Sequence, residues 1–150
     1  MGWLDSHMHE FVIGGQRFGR LDPDDSFMGG PPVRSERTTR LFSVLSWPKA
    51  KAVYTYDFGD NWEHDIAVEK VLTPEAGSAY PICTAGKRNG PPEDCGGVWG
   101  YKNLVEILSD PNQEDPNEMR EWAGENFDPE AFSVGEVNQG LAPFQRRRKH

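Results

Sequence analysis

The clearest alternation of apolar and polar positions lies in the segment Lys51–Val71. On both sides of Gly59–Asn61, apolar or aromatic side chains occupy every second position, as they do in half-buried strands. The Gly-Asp-Asn turn tolerates the positive φ that tight hairpins require. The second half has one mostly apolar face, which begins at Trp62, and one acidic face that includes Glu63 and Asp65. The pattern predicts a central β-hairpin.

Shorter patterns before and after this hairpin predict further strands and loops. His9–Ile13 and Gln16–Phe18 flank two glycines and predict a first hairpin. Asp22–Glu36 is rich in proline, glycine and aspartate, which is typical of a surface loop. Thr38–Leu45 is compatible with either a strand or a helical turn. One more short strand is expected around Tyr80–Cys83.

After residue 101 the apolar positions take a helical period. The segment Leu104–Leu108 predicts the apolar face of a helix. Asp115–Glu118 supplies an N-cap, a proline at the first helical position and a later glutamate, and Gly124 is suited to ending that helix. Ser133–Glu136 is a capping-box pattern that opens a last helix ending near Gly140.

Strands first and helices afterwards predict an α+β domain. We expect a largely antiparallel sheet with the central β-hairpin, and carboxy-terminal helices packed on one sheet face. A single domain is predicted over residues 1–144. Residues 145–150 are predicted to form a disordered basic tail, because adjacent like charges repel one another.

The formal charge of −8 and the pI of about 5 argue against general attraction to nucleic acid. The basic tail is the exception, and we expect at most a weak DNA contact through its four cations: Arg146, Arg147, Arg148 and Lys149. An unknown protein partner is therefore favoured over nucleic acid.

The sequence contains no apolar run near the roughly 20 residues that cross a bilayer, so no membrane partner is expected. It also shows no pattern typical of a signal peptide. Two cysteines without an export signal predict reduced thiols and a cytoplasmic protein.

Several sequence blocks resemble the Ri-plasmid third-open-reading-frame family, in the family's order and over nearly the whole chain. The matching blocks are Met1–Phe11, Tyr56–His64, Tyr80–Gly86, Pro91–Gly97, Trp99–Tyr101, Phe127–Phe132 and Glu136–Asn138. Members of that family usually begin further upstream. The resemblance therefore implies that the first strands and most of the first helix of the family domain are missing here, and that the chain is less stable or self-associates for that reason.

Members of this family are often labelled passenger proteins of plasmids and insertion elements, of TnpR type, a name that suggests recombination. A serine recombinase needs an activated serine close to several arginines that hold the scissile phosphate. The matching blocks contain no serine in such a setting, so recombinase activity is not supported. What the resemblance implies is an accessory protein associated with plasmid or mobile DNA.

Three groups of residues are candidates for chemistry. His7, His9 and His64 are accompanied by acids of the hairpin turn, but no His-x-x-x-His or Cys-x-x-Cys spacing specifies a metal site. Cys83 and Cys95 would need two further ligands for a structural zinc, so buried thiols are the favoured interpretation. No cofactor is predicted, and a divalent metal stays an open alternative.

The third group is the proline- and glycine-bounded loop that carries Glu93 and Asp94, which could present carboxylates to a ligand or cap its own turn. The candidate ligand-binding residues are Asp57, Asp60, Trp62, His64, Glu93, Asp94, Trp99 and Tyr101. No nucleophile–base pair or phosphate-binding loop is evident, so no catalytic residue is predicted.

Two hypotheses of function follow. The first is a non-catalytic cytoplasmic accessory protein that acts through protein contacts at its acidic face. The alternative is a small-ligand or metal-binding protein, or an enzyme, whose site lies between the Asp57–His64 turn and the Glu93–Asp94 loop. This alternative rests on carboxylates paired with aromatic and glycine residues, a mixture that also lines small-molecule sites.

Overall fold

A computed structural model describes residues 2–20, 32–110, 112–115, 118–124 and 126–147. The chain folds into two compact units. The sheet unit comprises Asp5–Leu72 and Gly96–Val98, and the helical unit comprises Met1–Leu4, Thr73–Cys95 and Trp99–His150.

The sheet unit contains a five-stranded sheet with the spatial order β3-β2-β1-β4-β5. Its strands are β1 (His9–Ile13), β2 (Gln16–Gly19), β3 (Val33–Ser35), β4 (Lys51–Tyr56) and β5 (Trp62–Ala67), and one helical turn, α1 (Leu41–Val44), precedes β4. All neighbouring strands are antiparallel except β2 and β3, which run parallel. The predicted α+β class with a largely antiparallel sheet is confirmed.

Both predicted hairpins are present. Gly14 and Gly15 connect β1 to β2 with φ values of +57° and +79°, which glycine adopts without a steric penalty. In the second hairpin, Tyr54 of β4 lies opposite His64 of β5. This hairpin is central in the chain but occupies one side of the sheet, where β5 forms the edge, and β1 is the central strand.

The core of the sheet unit lies where α1 meets β4. Leu45, Ala50 and Ala52 are buried there, with Ile13, Val44 and Val68 packed around them. Backbone hydrogen bonds join the same region, because Lys49 N donates to Val68 O at 2.7 Å and Val68 N donates to Ala50 O at 2.9 Å. Apolar burial and backbone pairing together make this corner rigid.

In its described residues, the helical unit contains a small two-stranded sheet and three α-helices. Its elements are β6 (Ala79–Tyr80), α2 (Gly97–Ser109, whose first two residues belong to the sheet unit), α3 (Met119–Ala123), α4 (Val134–Leu141), a 3-10 helix (Ala142–Phe144) and β7 (Arg146–Arg147). β6 and β7 pair antiparallel. Leu104 and Ile107 of α2 are buried, which confirms the predicted apolar helical face. The expected packing of the helices on one sheet face stays a prediction.

Two of the predicted helix ends are confirmed, and a third is displaced. Ser133 Oγ accepts from Glu136 N at 3.2 Å, which confirms the predicted start of α4. Gly124 ends α3 with a φ of +88°, also as predicted. The predicted N-cap at Asp115 is displaced, since α3 begins at Met119. The Asp115 carboxylate nevertheless accepts from Met119 N at 2.7 Å and from Arg120 N at 2.9 Å.

The structure corrects several predicted boundaries. Helix α2 begins at Gly97, before the predicted change of period, and Val33–Ser35 forms β3 within the predicted loop Asp22–Glu36. Residues 21–31 of that loop lie outside the described residues. The ambiguous segment forms α1. The strand expected around Tyr80–Cys83 covers only Ala79–Tyr80.

The predicted basic tail begins with a short strand. Arg146 and Arg147 form β7 and pair with Tyr80 and Ala79. Arginine is compatible with a short strand because its charge lies at the end of a long aliphatic stem, away from the paired backbone. Residues 148–150 lie outside the described residues. Among the described helices, none is both long and apolar enough to cross a membrane.

Candidate functional site

The carboxylates of the Asp57–Asn61 turn bind backbone N–H groups of the protein itself. Asp57 Oδ1 accepts from Gly59 N at 2.9 Å, as an aspartate does when it closes its own turn. Asp57 and Asn61 have φ values of +55° and +54°, and Asn61 N donates to Asp57 O at 2.6 Å. The turn is therefore built by the residues that the sequence proposed as ligand-binding.

Asp60 connects this turn to the start of α2 within the sheet unit. Asp60 Oδ2 accepts from Gly96 N at 3.1 Å, immediately before the first helical residue. A carboxylate at this position is favourable, because the first N–H groups of a helix lack intrahelical partners and carry a partial positive charge. Asp60 is thus a helix-capping residue.

Gly97 allows the close approach of the turn and the helix. A Cβ atom at this position would lie 2.5 Å from the carbonyl oxygen of Asp60, and the φ of Gly97 is +65°. Both the space and the backbone conformation therefore require glycine. Asp60 and Gly96, which are 36 residues apart in the sequence, are joined here by a side-chain to backbone hydrogen bond within the sheet unit.

The two aromatic candidates on β5 lie along the sheet. Trp62 is half-buried opposite Tyr56. His64 is also half-buried, with its Nδ1 3.2 Å from the carbonyl oxygen of Tyr54 and its ring centroid 5.6 Å from that of Tyr54. Cross-strand ring contacts of this kind contribute to sheet stability.

The loop candidates belong to the helical unit. Glu93 Oε1 accepts from the backbone N of Leu4 at 2.7 Å, and Trp3 Nε1 donates to the carbonyl oxygen of Pro91 at 2.8 Å. Glu93 therefore holds the amino-terminal segment on the loop. Asp94 is exposed with a φ of +56°, which is a turn conformation.

The remaining two candidates lie on α2. Trp99 is 80% exposed, and the Lys102 ammonium lies 5.9 Å from the centre of its ring. Tyr101 is half-buried. Burial raises the pKa of Tyr101, the neighbouring Cys95 and Glu130 raise it further, and Arg88 lowers it. Cys83 and Cys95 are free thiols, and the predicted burial is confirmed for Cys95 but wrong for Cys83, which is only half-buried.

A histidine–carboxylate cluster in the sheet unit was not proposed as a site from the sequence. His9 Nε2 lies 2.9 Å from Glu36 Oε2, and His9 Nδ1 lies 3.4 Å from Asp5 Oδ1. The second contact is close enough for an ion pair but lacks hydrogen-bond geometry. His9 Nδ1 is buried, and it has no hydrogen-bond partner among the described residues. Asp5 also accepts from Arg20 at 2.5 Å.

This cluster borders the ring of Tyr54, whose centroid lies 5.8 Å from that of His9. Burial raises the pKa of Tyr54, and the negative charges of Asp5 and Glu36 act in the same direction. The sequence carried one signal, the alternation of His7 and His9, but Asp5 and Glu36 reach His9 only in the folded chain. Through these contacts of His9, Asp5 connects the segment before β1 to the central strand, and Glu36 connects the turn after β3 to it.

A second contact that the sequence did not reveal lies in the helical unit. The side chain of Asn138 on α4 donates from Nδ2 to the carbonyl oxygen of Cys83 at 2.9 Å and accepts from Cys83 N at 2.8 Å. This bidentate pairing resembles a backbone ladder. It gives Asn138 a structural role in holding the residues after β6.

Comparisons with known proteins relate most of the chain to one family. A family model described as Plasmid pRiA4b ORF-3-like protein matches residues 1–136. A relative from Sinorhizobium fredii, named Uncharacterized protein y4hQ, is 36% identical over 142 residues, which cover 94% of this chain and 71% of the relative. A crystal structure of a Protein of Unknown Function, MM3350 from Methanosarcina mazei Go1, is similar with a TM-score of 0.76 and 40% identity over 91% of this chain and 75% of that one.

Proposed function

The chain belongs to the plasmid pRiA4b ORF-3-like protein family, and from that membership we propose a non-catalytic cytoplasmic accessory protein of plasmid or mobile DNA. It acts through protein contacts at an acidic edge, defined here as strand β5 with the exposed side chains of Glu63 and Asp65. The two free cysteines are consistent with the proposed cytoplasmic location, where thiols are kept reduced.

The observation that carries the proposal is the position of β5. In the described part of the chain, β5 pairs with β4 on one side and has no strand partner on the other. An exposed sheet edge is a ready template for an extended segment of another protein. Glu63 and Asp65 alternate with half-buried residues, so they form an acidic row along that edge.

The charge of this row indicates the chemistry of the partner. We expect an extended segment with lysine or arginine at every second position, because these side chains would lie beside Glu63 and Asp65 when the segment adds to β5. The turn carboxylates are not equivalent to this row, since Asp57 and Asp60 accept internal backbone N–H bonds. Their structural use supports a non-catalytic role for the motif.

The test is a pull-down from the native host with the unmodified chain and with the double charge reversal Glu63→Lys and Asp65→Lys. The proposal predicts a partner that the unmodified chain captures and the variant loses. The matched control is Glu114→Lys with Glu121→Lys, which reverses two exposed charges of the helical unit and should retain the partner.

If the Glu63→Lys and Asp65→Lys variant retained the partner as fully as the Glu114→Lys and Glu121→Lys control, a role for the acidic edge would be contradicted. Purification of the chain without any partner, together with turnover of a small molecule, would contradict the accessory-protein proposal as a whole.

A further inference from the structure

The sheet unit contains a pocket of about 560 Å³ beside the core corner of α1 and β4. Its apolar wall is formed by Ile13, Phe18, Val44 and Trp47. Phe18 is 4% exposed and packs in the sheet, whereas Trp47 is 57% exposed and stands at the rim. The volume lies within the range of roughly 300–1,000 Å³ that is typical of small-molecule sites.

The polar part of the same pocket is cationic. Arg34, Lys49 and Lys51 line it, and no aspartate or glutamate is among its described lining residues. Within the described part of the chain, these three side chains form none of the observed ion pairs. Three of the 16 lysines and arginines of a protein with a formal charge of −8 thus line one pocket.

All three cations are exposed side chains that start from ordered backbone positions. Arg34 lies opposite Phe18 in the β2–β3 ladder, so its stem starts from a paired strand position. Lys49 has a φ of +71°, a conformation that a lysine rarely adopts, and its N–H donates to Val68 O at 2.7 Å. Such a strained position persists because the surrounding structure determines it. The cations are thus carried by hydrogen-bonded segments of the sheet unit and not by a free chain end.

From this arrangement we propose that the pocket binds a small organic carboxylate that has an apolar ring or chain. The planar guanidinium of Arg34 suits bidentate pairing with a carboxylate, and Lys49 and Lys51 add positive charge around it. The apolar body of the ligand would pack against Trp47, Val44 and Phe18. This inference is independent of the acidic edge, since it rests on different residues and the opposite charge.

The experiment is calorimetric titration of the full chain with 2-naphthoate, with the neutral 2-naphthalenemethanol and inorganic phosphate as comparators. We expect saturable binding of naphthoate at submillimolar concentration. The neutral alcohol should bind about tenfold or more weakly, because it forms no charge-assisted hydrogen bond. Phosphate should also bind more weakly, because it buries no apolar surface. Added salt should weaken the binding of naphthoate.

Matched variants locate the site. Arg34→Gln should weaken naphthoate binding about tenfold, whereas Arg37→Gln, the same charge change at an exposed arginine outside the pocket, should change it less than about twofold. Lys51→Gln with Lys70→Gln as its control repeats the comparison if the Arg34 variant does not fold by circular dichroism. Trp47→Phe should remove the fluorescence change that accompanies binding.

Three results would overturn the proposal. The first is no saturable heat with naphthoate up to about 5 mM. That concentration exceeds a millimolar dissociation constant, which corresponds to a binding free energy of roughly −4 kcal/mol. The second is equal affinity for the neutral alcohol, or for phosphate alone. The third is an equal loss of affinity in each pocket variant and its control.

Discussion

The turn and the second strand of one hairpin use their carboxylates in different ways. In the Asp57–Asn61 turn, Asp57 and Asp60 accept backbone N–H groups, and Asp60 does so from Gly96 at the start of α2. A few residues later, Glu63 and Asp65 on β5 are exposed. Acidic residues that are adjacent in sequence therefore belong to two classes, one that stabilises the fold and one that forms a surface.

This difference separates stability from recognition. A substitution at the turn should change the free energy of unfolding, because it removes a partner of a backbone group. A substitution on the exposed face of β5 should leave the free energy of unfolding unchanged and affect only binding. Four measurements test that separation.

The largest expected effect is that of Gly97→Ala. The added Cβ would lie 2.5 Å from the Asp60 carbonyl oxygen at a φ of +65°, so steric overlap and backbone strain act together. We expect the free energy of unfolding to fall by about 2–4 kcal/mol in urea denaturation. The matched control is Gly77→Ala, at a φ of +81° with no atom within 4 Å, which should cost only about 1 kcal/mol. Equal losses in the two variants would show that the contact with Asp60 is unimportant.

Next is Asp60→Ala, which removes the acceptor of Gly96 N and the negative charge at the start of α2. We expect a loss of about 1 kcal/mol in the free energy of unfolding, as for other helix caps. Asp60→Asn should retain part of the stability, because its amide oxygen still accepts. The control is Asp65→Ala on β5. If Asp65→Ala cost as much as Asp60→Ala, the distinction between the turn and the strand would be wrong.

The pH dependence of Asp115 tests the same principle in the helical unit. The N–H of Arg120 lowers the pKa of Asp115, and the Met119 N–H and the Arg120 charge lower it further. Because the folded pKa lies below the ordinary value of 3.8, the ionised carboxylate stabilises the fold above pH 3.8. This stabilisation is lost as the pH falls through the folded pKa.

The stability advantage of the unmodified chain over Asp115→Asn should accordingly shrink on acidification below pH 3.8, as measured by urea denaturation at several pH values. Titration of the Asp115 carboxyl by NMR would give its pKa directly. An advantage that stayed constant down to the acid limit would contradict the assignment.

The smallest expected effect on stability is that of the double reversal Glu63→Lys and Asp65→Lys. Both side chains are exposed, and surface substitutions of this kind usually change the free energy of unfolding by less than about 0.5 kcal/mol. The same variant is expected to lose the protein partner. A large loss of stability would mean that Glu63 and Asp65 stabilise the fold, as the carboxylates of the turn do.

Several hairpins, turns and helix ends follow from local patterns in the sequence. Alternation of apolar residues predicted both hairpins, and Gly14 and Gly15 predicted the first turn, because strand faces and positive φ are properties of neighbouring residues. The N-cap of α4 at Ser133 and the end of α3 at Gly124 were also predicted from neighbouring residues alone. The family blocks could also be recognised from the sequence, because each is a short continuous segment. The helix period, by contrast, did not show that α2 begins at Gly97, since that start depends on Asp60.

The sequence by itself thus determined the α+β class, the strand pairs joined by tight turns, the start of α4, the end of α3 and the family. Only the tertiary structure decided that β1 is the central strand, that Asp60 caps α2, that Glu36 pairs with His9, and that three cations line one pocket. The physical reason is range. Periodicity and turn propensity act between neighbours in the chain, whereas these contacts join residues 27 or more positions apart, or elements from separate parts of the sheet, and form only when the chain has folded.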